Sequence, residues 1–265
     1  MKLASQCLRM DDALKRRLVE YADRYEVASF VDGDPSFILR SVDGSDNSEA
    51  AAFIAANLSF GSRSQFLPKI RWFIDRAGGD VDGWVRTGAF AADLPPDDPR
   101  CFYRFFTFGS MHRFLSAYRR LMERYGTLGG YVKAVANGDA YDAVKAICGW
   151  FSENDGGGVV PKDASSACKR VCMFLRWMVR SGSPVDLGIW ADFIDRRTLI
   201  VPLDTHVVQV AMSLGLLKSP CASMGAARRL TAALAEAFPE DPCRGDFALF
   251  GYGVDKTLQE KTDED

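Results

Sequence analysis

The chain has 265 residues, enough for one large domain or two small lobes with a real core. Apolar residues make up 48% and charged residues 26%, a balance that excludes a disordered chain, and no apolar run approaches the length of a bilayer span. A net charge of −2 and a pI near 5.8 argue against a strongly basic nucleic-acid binder but leave room for a local basic patch.

The start, MKLASQCLRMDD, lacks the sustained apolar core of a signal peptide. Seven cysteines, an odd number without a CxxC, read as buried thiols in a reducing cytoplasm. With only His112 and His206 available, no His-rich metal site is expected.

The predicted elements are almost all helical. Asp11 opens a helix to 25 with Leu14, Leu18, Tyr21, Ala22 and Tyr25 on one face. Residues 31–45 read as a loop with a short extended piece. An apolar helix over 47–60 ends at Gly61. Another spans 63–77, with Pro68 placed near its first turn. DLPPDDPR, 93–100, is a loop, and the aromatic cluster CFYRFFTF, 101–108, reads as core. Residues 110–125 are strongly amphipathic, and Asp139 caps the next helix. NDGGGVVPKDASS, 154–166, is a glycine-rich loop. Helices follow over 166–180, 204–214, 223–238 and 246–254, and the acidic tail 255–265 is expected to fray. No alternation is long enough for a sheet, so the fold class is all-α.

Chemistry concentrates in two segments. In SACKRVCMFLRWMVR the buried stripe is Val171, Phe174, Leu175, Met178 and Val179. Lys169, Met173, Arg176 and Arg180 share another face. From 160 to 180 five basic residues, including Lys162 and Arg170, stand against Asp163 alone. Beside a glycine-rich loop and a helix N-terminus, such a patch can hold phosphates; the other reading is a solvated helix face. Lys169 is oddly placed in the first helical turn, where its cation opposes the dipole and nearby positive charges favour the neutral, nucleophilic amine. In LIVPLDTHVVQVAMSLGLLK, Asp204 sits where a helix N-cap belongs, a role worth about 1 kcal/mol. Capping holds the carboxylate rigidly and can leave one oxygen for other work.

PLDTH followed by an apolar helix resembles the aspartate segment of the helix-hairpin-helix base-excision DNA glycosylase superfamily. The longer string SACKRVCMFLRWMVR, VDLGIW, LIVPLDTHVVQVAMSLGLL and DFALFGYGV, with AANLSFGSRSQFLPKI upstream, is similar to a bacterial branch of it over about residues 45–255. The span from 169 to 204 is longer than in the common branches and closer to the archaeal 8-oxoguanine glycosylase branch. Two departures stand out. GGGVVPKDASSAC replaces the usual Leu-Pro-Gly-Val-Gly hairpin, and no four-cysteine cluster follows Asp204, which excludes an iron–sulfur cluster of the kind some members carry.

The resemblance implies a two-lobed, multi-helix fold with a cleft between the lobes. One lobe would run over 41–180 and end in the irregular hairpin and lysine helix. The other would combine 1–40 with 181–265 and carry the aspartate. It also implies a DNA-repair enzyme, a bifunctional glycosylase with lyase activity. Lys169 would be the nucleophile, Asp204 the stabilising carboxylate, and double-stranded DNA with a damaged base the partner. Oxidised purine, 8-oxoguanine first, is the leading lesion. Lys162, Arg170, Arg176 and Arg180 are the candidates for phosphate contacts. Trp177, Trp190 and Phe174 are the candidates for stacking a flipped base, with Phe174 leaning to core. His206 is read as structural or a phosphate contact. No metal, organic cofactor or membrane is implied, and a monomer associated with the bacterial nucleoid in the cytoplasm is expected. Two other readings stay open: a non-catalytic DNA-structure binder on the same scaffold, and a helical protein with no nucleic-acid role.

Overall fold

The computed structural model describes residues 10–262. It is built of helices, with a single two-stranded antiparallel sheet among the described residues. No described helix is long and apolar enough to cross a membrane.

Helix α1, Asp12–Tyr25, starts where Asp11 accepts the Leu14 N–H at 2.7 Å. Residues 31–45, expected as a loop with a short extended piece, hold in place of that piece a 3-10 turn over Pro35–Arg40, opened by Asp34 accepting the Ser36 N–H. Proline presets the first residue of that turn, and the Asp34 side chain competes with any strand pairing.

Helix α2, Ser45–Leu58, is buried continuously from Ser48 to Leu58. A helix buried on every side belongs in a core, here with Glu49 and Asn57 enclosed along with the apolar residues. Its alanines let neighbours come close, and it packs against the Pro35–Arg40 turn and against α3 (Arg63–Arg76), α4 (Val81–Thr87) and α8 (Lys169–Val179). Pro68 lies deeper inside α3 than the first turn, which removes the bond to the Ser64 carbonyl.

Strands β1 (Cys101–Tyr103) and β2 (Phe106–Thr107) form a tight hairpin in the cluster CFYRFFTF, too short for alternation to reveal. Helix α5, Phe108–Tyr125, follows with a capping box between Thr107 and Ser110. Short helices α4 and α6 (Leu128–Val135) escape a periodicity reading because glycines interrupt both. Asp139 caps α7, Ala140–Glu153, through the Asp142 N–H.

The last three helices are α9 (Thr205–Ser213), α10 (Met224–Leu234) and α11 (Arg244–Thr262). Helix α11 runs through most of the tail expected to fray; residues 263–265 lie outside the described residues. Helix α11 packs on α1 and on α9. Glycines make these crossings close: a Cβ on Gly251 would collide with the Tyr25 ring, and one on Gly253 with the His206 ring. Tyr25 Oη–H then donates to Asp255 Oδ1 at 2.7 Å.

Candidate active site

The glycine-rich loop ends at Cys168, which adopts left-handed backbone geometry (φ 46°) and starts α8 without a side-chain cap. Lys169 is therefore the first residue of α8. Asp204 is the N-cap of α9. The two helix N-termini converge, and Nζ of Lys169 lies 3.5 Å from Oδ2 of Asp204. The other oxygen, Oδ1, accepts the Val207 N–H at 2.9 Å. Both side chains are partly exposed, 31% and 40%.

A cavity of about 130 Å³ opens beside this pair. Among its walls are Phe30, Arg63, Met173, Asp246, His206 and Phe250. Burial raises the Asp246 carboxyl above its ordinary range; Arg176 opposes that shift and the charge of Asp204 reinforces it.

The face shared by Lys169, Met173 and Arg176 is thus turned to the cavity and not to solvent. This corrects the phosphate-binding expectation for Arg176 and Arg180, which are 4% and 2% exposed. Arg176 is paired with Asp246 and, at 3.3 Å, with Asp186. Arg180 is paired with Asp186, with Glu26 at 2.6 Å and with Asp241 at 2.9 Å. Their charge is already neutralised by these acids, which leaves little for a phosphate. Burial favours the neutral acid at Glu26, but the Arg180 charge together with hydrogen bonds from Arg180, Arg244 and Ser183 outweighs it and holds that carboxyl below its ordinary range.

Arg170 is half-buried. Its Nη1–H donates to the Asn57 carbonyl at 2.7 Å, and its guanidinium lies over the Phe60 and Phe106 rings. Burial pulls it down to about 10. A guanidinium held this way braces the helix start. Lys162 alone of the four stands exposed in the loop.

The stacking candidates are corrected too. Trp177 and Phe174 are fully buried and Trp190 nearly so. Phe174 packs edge-on against Phe53 and Trp190. Trp190 donates its indole N–H to Glu49 at 2.8 Å. None of the three lines the cavity. The aromatic walls are Phe30, Phe247 and Phe250 instead, stacked edge to face. Their distance in sequence from Lys169 leaves no spacing signal; only DFALFGYGV, within the resembling string, pointed toward Phe247 and Phe250.

The cysteines also differ from the expectation. Cys101 and Cys221 are exposed, and Cys7 lies outside the described residues. Cys148, Cys168 and Cys172 are buried around the start of α8, with Sγ of Cys148 and Cys168 4.0 Å apart. Among the described residues no group of three or more His, Cys, Asp or Glu side chains is placed to hold a metal ion.

A larger hollow of about 950 Å³ lies elsewhere, lined by Asn137, Asp139, Ser181, Arg196, Arg197 and Glu240, among others. Its charges are spent locally: Arg197 pairs with Asp195 at 2.7 Å, and Arg196 donates to the Glu240 carbonyl at 3.1 Å. The juxtaposed amine and carboxylate at Lys169 and Asp204 offer more chemistry than this larger space.

No curated protein and no solved structure matches the chain. One family model does, that described as "Protein of unknown function (DUF2400)", over residues 34–255, which takes in every helix from α2 to α10 and most of α11. The chain belongs to that family.

Proposed function

We infer that the protein is a lysine-dependent DNA glycosylase with lyase activity, acting on a duplex that carries a damaged base. The observation that carries this reading is the 3.5 Å approach of Lys169 Nζ to Asp204 Oδ2 beside a cavity. The 8-oxoguanine lesion remains the first substrate to try, on the resemblance alone. In this reading residues 41–180 form one lobe, residues 1–40 with 181–265 form the other, and the DNA runs along the junction.

The steps follow from the two side chains. The Lys169 amine attacks C1′ of the extruded nucleotide. The bond from C1′ to the base nitrogen breaks, and its electron pair leaves with the base. The sugar gains positive charge as the base departs, so a fixed carboxylate stabilises the transition state more than the ground state. Asp204 is fixed by the Val207 N–H, and its free oxygen is within reach of the amine's proton. The resulting amine adduct opens the sugar to a Schiff base, through which the strand is cleaved.

One observation favours a second reading, a non-catalytic DNA-structure binder. The cavity of about 130 Å³ is tight for a flipped nucleotide without movement of its walls. Borohydride trapping on duplexes carrying 8-oxoguanine, uracil, thymine glycol or an abasic site separates the two. A covalent band that disappears in Lys169→Gln is the expected result. A blank panel alongside salt-sensitive duplex affinity supports the binder. No duplex affinity at all would overturn both.

A further inference from the structure

Cys148 and Cys168 bring their sulfurs to 4.0 Å in the interior, where α7 packs against α8. Buried thiols are ordinary as small apolar fillers. These two differ in how they are held. Cys148 lies inside α7 and is wholly enclosed. Cys168 ends the glycine-rich loop, has left-handed backbone geometry (φ 46°) and precedes α8 without capping it. A residue other than glycine is strained in that conformation, so its backbone is the one that yields.

Cys168 is also the more reactive of the two. Its sulfur reaches the Asp163 carbonyl at 3.2 Å and the Ser166 hydroxyl at 3.5 Å, both in the exposed part of the loop. The hydrogen bond from Cys148 outweighs burial and brings the Cys168 thiol down to about 7, while Cys148 is pushed up. The thiolate is the form that attacks. A disulfide needs sulfurs about 2.05 Å apart, so closing this pair takes about 2 Å of movement. Cys148 is fixed within its helix, and Ser166 is bridged to Ser223. The displacement therefore falls on Ala167, Cys168 and the residue that follows, Lys169.

We propose that Cys168 is a peroxide-sensitive modification site, that Cys148 resolves it into a disulfide, and that this disulfide draws Lys169 away from Asp204. The Cys168 thiolate attacks one oxygen of hydrogen peroxide, and the O–O bond breaks. Sulfur becomes a sulfenic acid, and the departing hydroxide takes up a proton as water. The Cys148 sulfur then attacks the sulfenic sulfur. The S–O bond breaks, and hydroxide leaves with the Cys148 proton as a second water. Two thiols and one peroxide thus give one disulfide and two waters. The modification stands apart from the proposed function; its effect on catalysis rests on the glycosylase reading.

The test uses the full chain, reduced and then exposed to hydrogen peroxide. Peptide mapping should recover a linked Cys148–Cys168 pair, distinct from any product of exposed Cys101 and Cys221, and dithiothreitol should reverse it. In Cys148→Ala, dimedone should tag Cys168. Two readouts report on the lysine. Borohydride trapping on an abasic duplex should slow about 10- to 100-fold in the oxidised protein. Acetylation of Lys169 by an N-hydroxysuccinimide ester needs no DNA and should quicken about 2- to 5-fold as the amine loses its ion pair. Absence of the linked pair, or a linked pair that leaves Lys169 acetylation unchanged, overturns the proposal. If reduced wild type traps no duplex while oxidation still alters acetylation, the switch stands and the glycosylase reading falls. Trapping that a complete Cys148–Cys168 bridge leaves unaltered removes the switch and keeps the lysine chemistry.

Discussion

Lys169 and Asp204 each begin a helix, and the two helix starts face each other so that Nζ and Oδ2 are 3.5 Å apart. The carboxylate has two separable jobs, because Oδ1 caps α9 while Oδ2 faces the amine. Asparagine caps about as well as aspartate. Asp204→Asn is therefore expected to unfold within about 0.5 kcal/mol of wild type yet to trap abasic DNA at least ~100-fold more slowly. Asp204→Ala should lose about 1 kcal/mol of stability as well. Denaturant titration and trapping kinetics on the three proteins read this out. If Asn traps at the wild-type rate, the carboxylate is a cap and nothing more.

Arg180 is bound by three acids, one of them fully buried. Removing it leaves Asp186 without its strongest partner in a site closed to water. Arg180→Met is expected to cost about 3–5 kcal/mol in urea unfolding. Arg180→Lys should recover only a fraction, since a single ammonium cannot serve three carboxylates in a fixed fork. A loss under 1 kcal/mol would show that water reaches Asp186 in solution.

Glu49 is buried in α2 and accepts from the Leu128 and Gly129 N–H groups and the Trp190 indole. Burial nevertheless raises its carboxyl to about 7, against an unfolded value of 4.5. Between these two values the folded protein holds a proton that the unfolded chain has released. Its contribution is complete below about pH 4.5 and declines as pH rises through 7, a loss of about 3 kcal/mol at most. Urea midpoints from pH 5 to 8 should fall accordingly, and Glu49→Gln should flatten that trend. An unchanged slope in Glu49→Gln would assign the titration elsewhere.

The Cys148 and Cys168 sulfurs are 4.0 Å apart. The hydrogen bond from Cys148 is the main cause that lowers the Cys168 thiol to about 7, while the same contact and burial push Cys148 up. Diamide at pH 8 is expected to join these two cysteines, seen as a linked peptide pair by mass spectrometry. Recovery of linked peptides from Cys101 and Cys221 alone would mean that the buried pair is sealed from the reagent.

Parts of this molecule are legible in the chain. The caps at Asp11, Asp139 and Asp204 sit at the start of apolar stripes, and each does open a helix. Local chemistry and tertiary packing agree there. Arg176 and Arg180 illustrate the opposite case. Four acids outside the helix neutralise them, Asp186 shortly after it and Glu26, Asp241 and Asp246 from remote segments, and helical spacing carries no information about such partners. The same holds for Trp177 and Trp190, both expected to stack a flipped base. Helix α8 is buried from Val171 to Val179, and of that stretch only Met173 and Arg176 line the cavity beside Lys169.

The pairing of α1 with α11 has a consequence for how the chain comes together. Tyr25 fits over Gly251, and Glu26 reaches Arg180 and Arg244. During synthesis the first helix emerges with its apolar face bare and waits for the last one. Arg180 likewise waits for Asp241, and Arg176 for Asp246. The walls around Lys169 are electrically incomplete until α11 has arrived, so the amine meets its finished surroundings only when α11 has packed against α1.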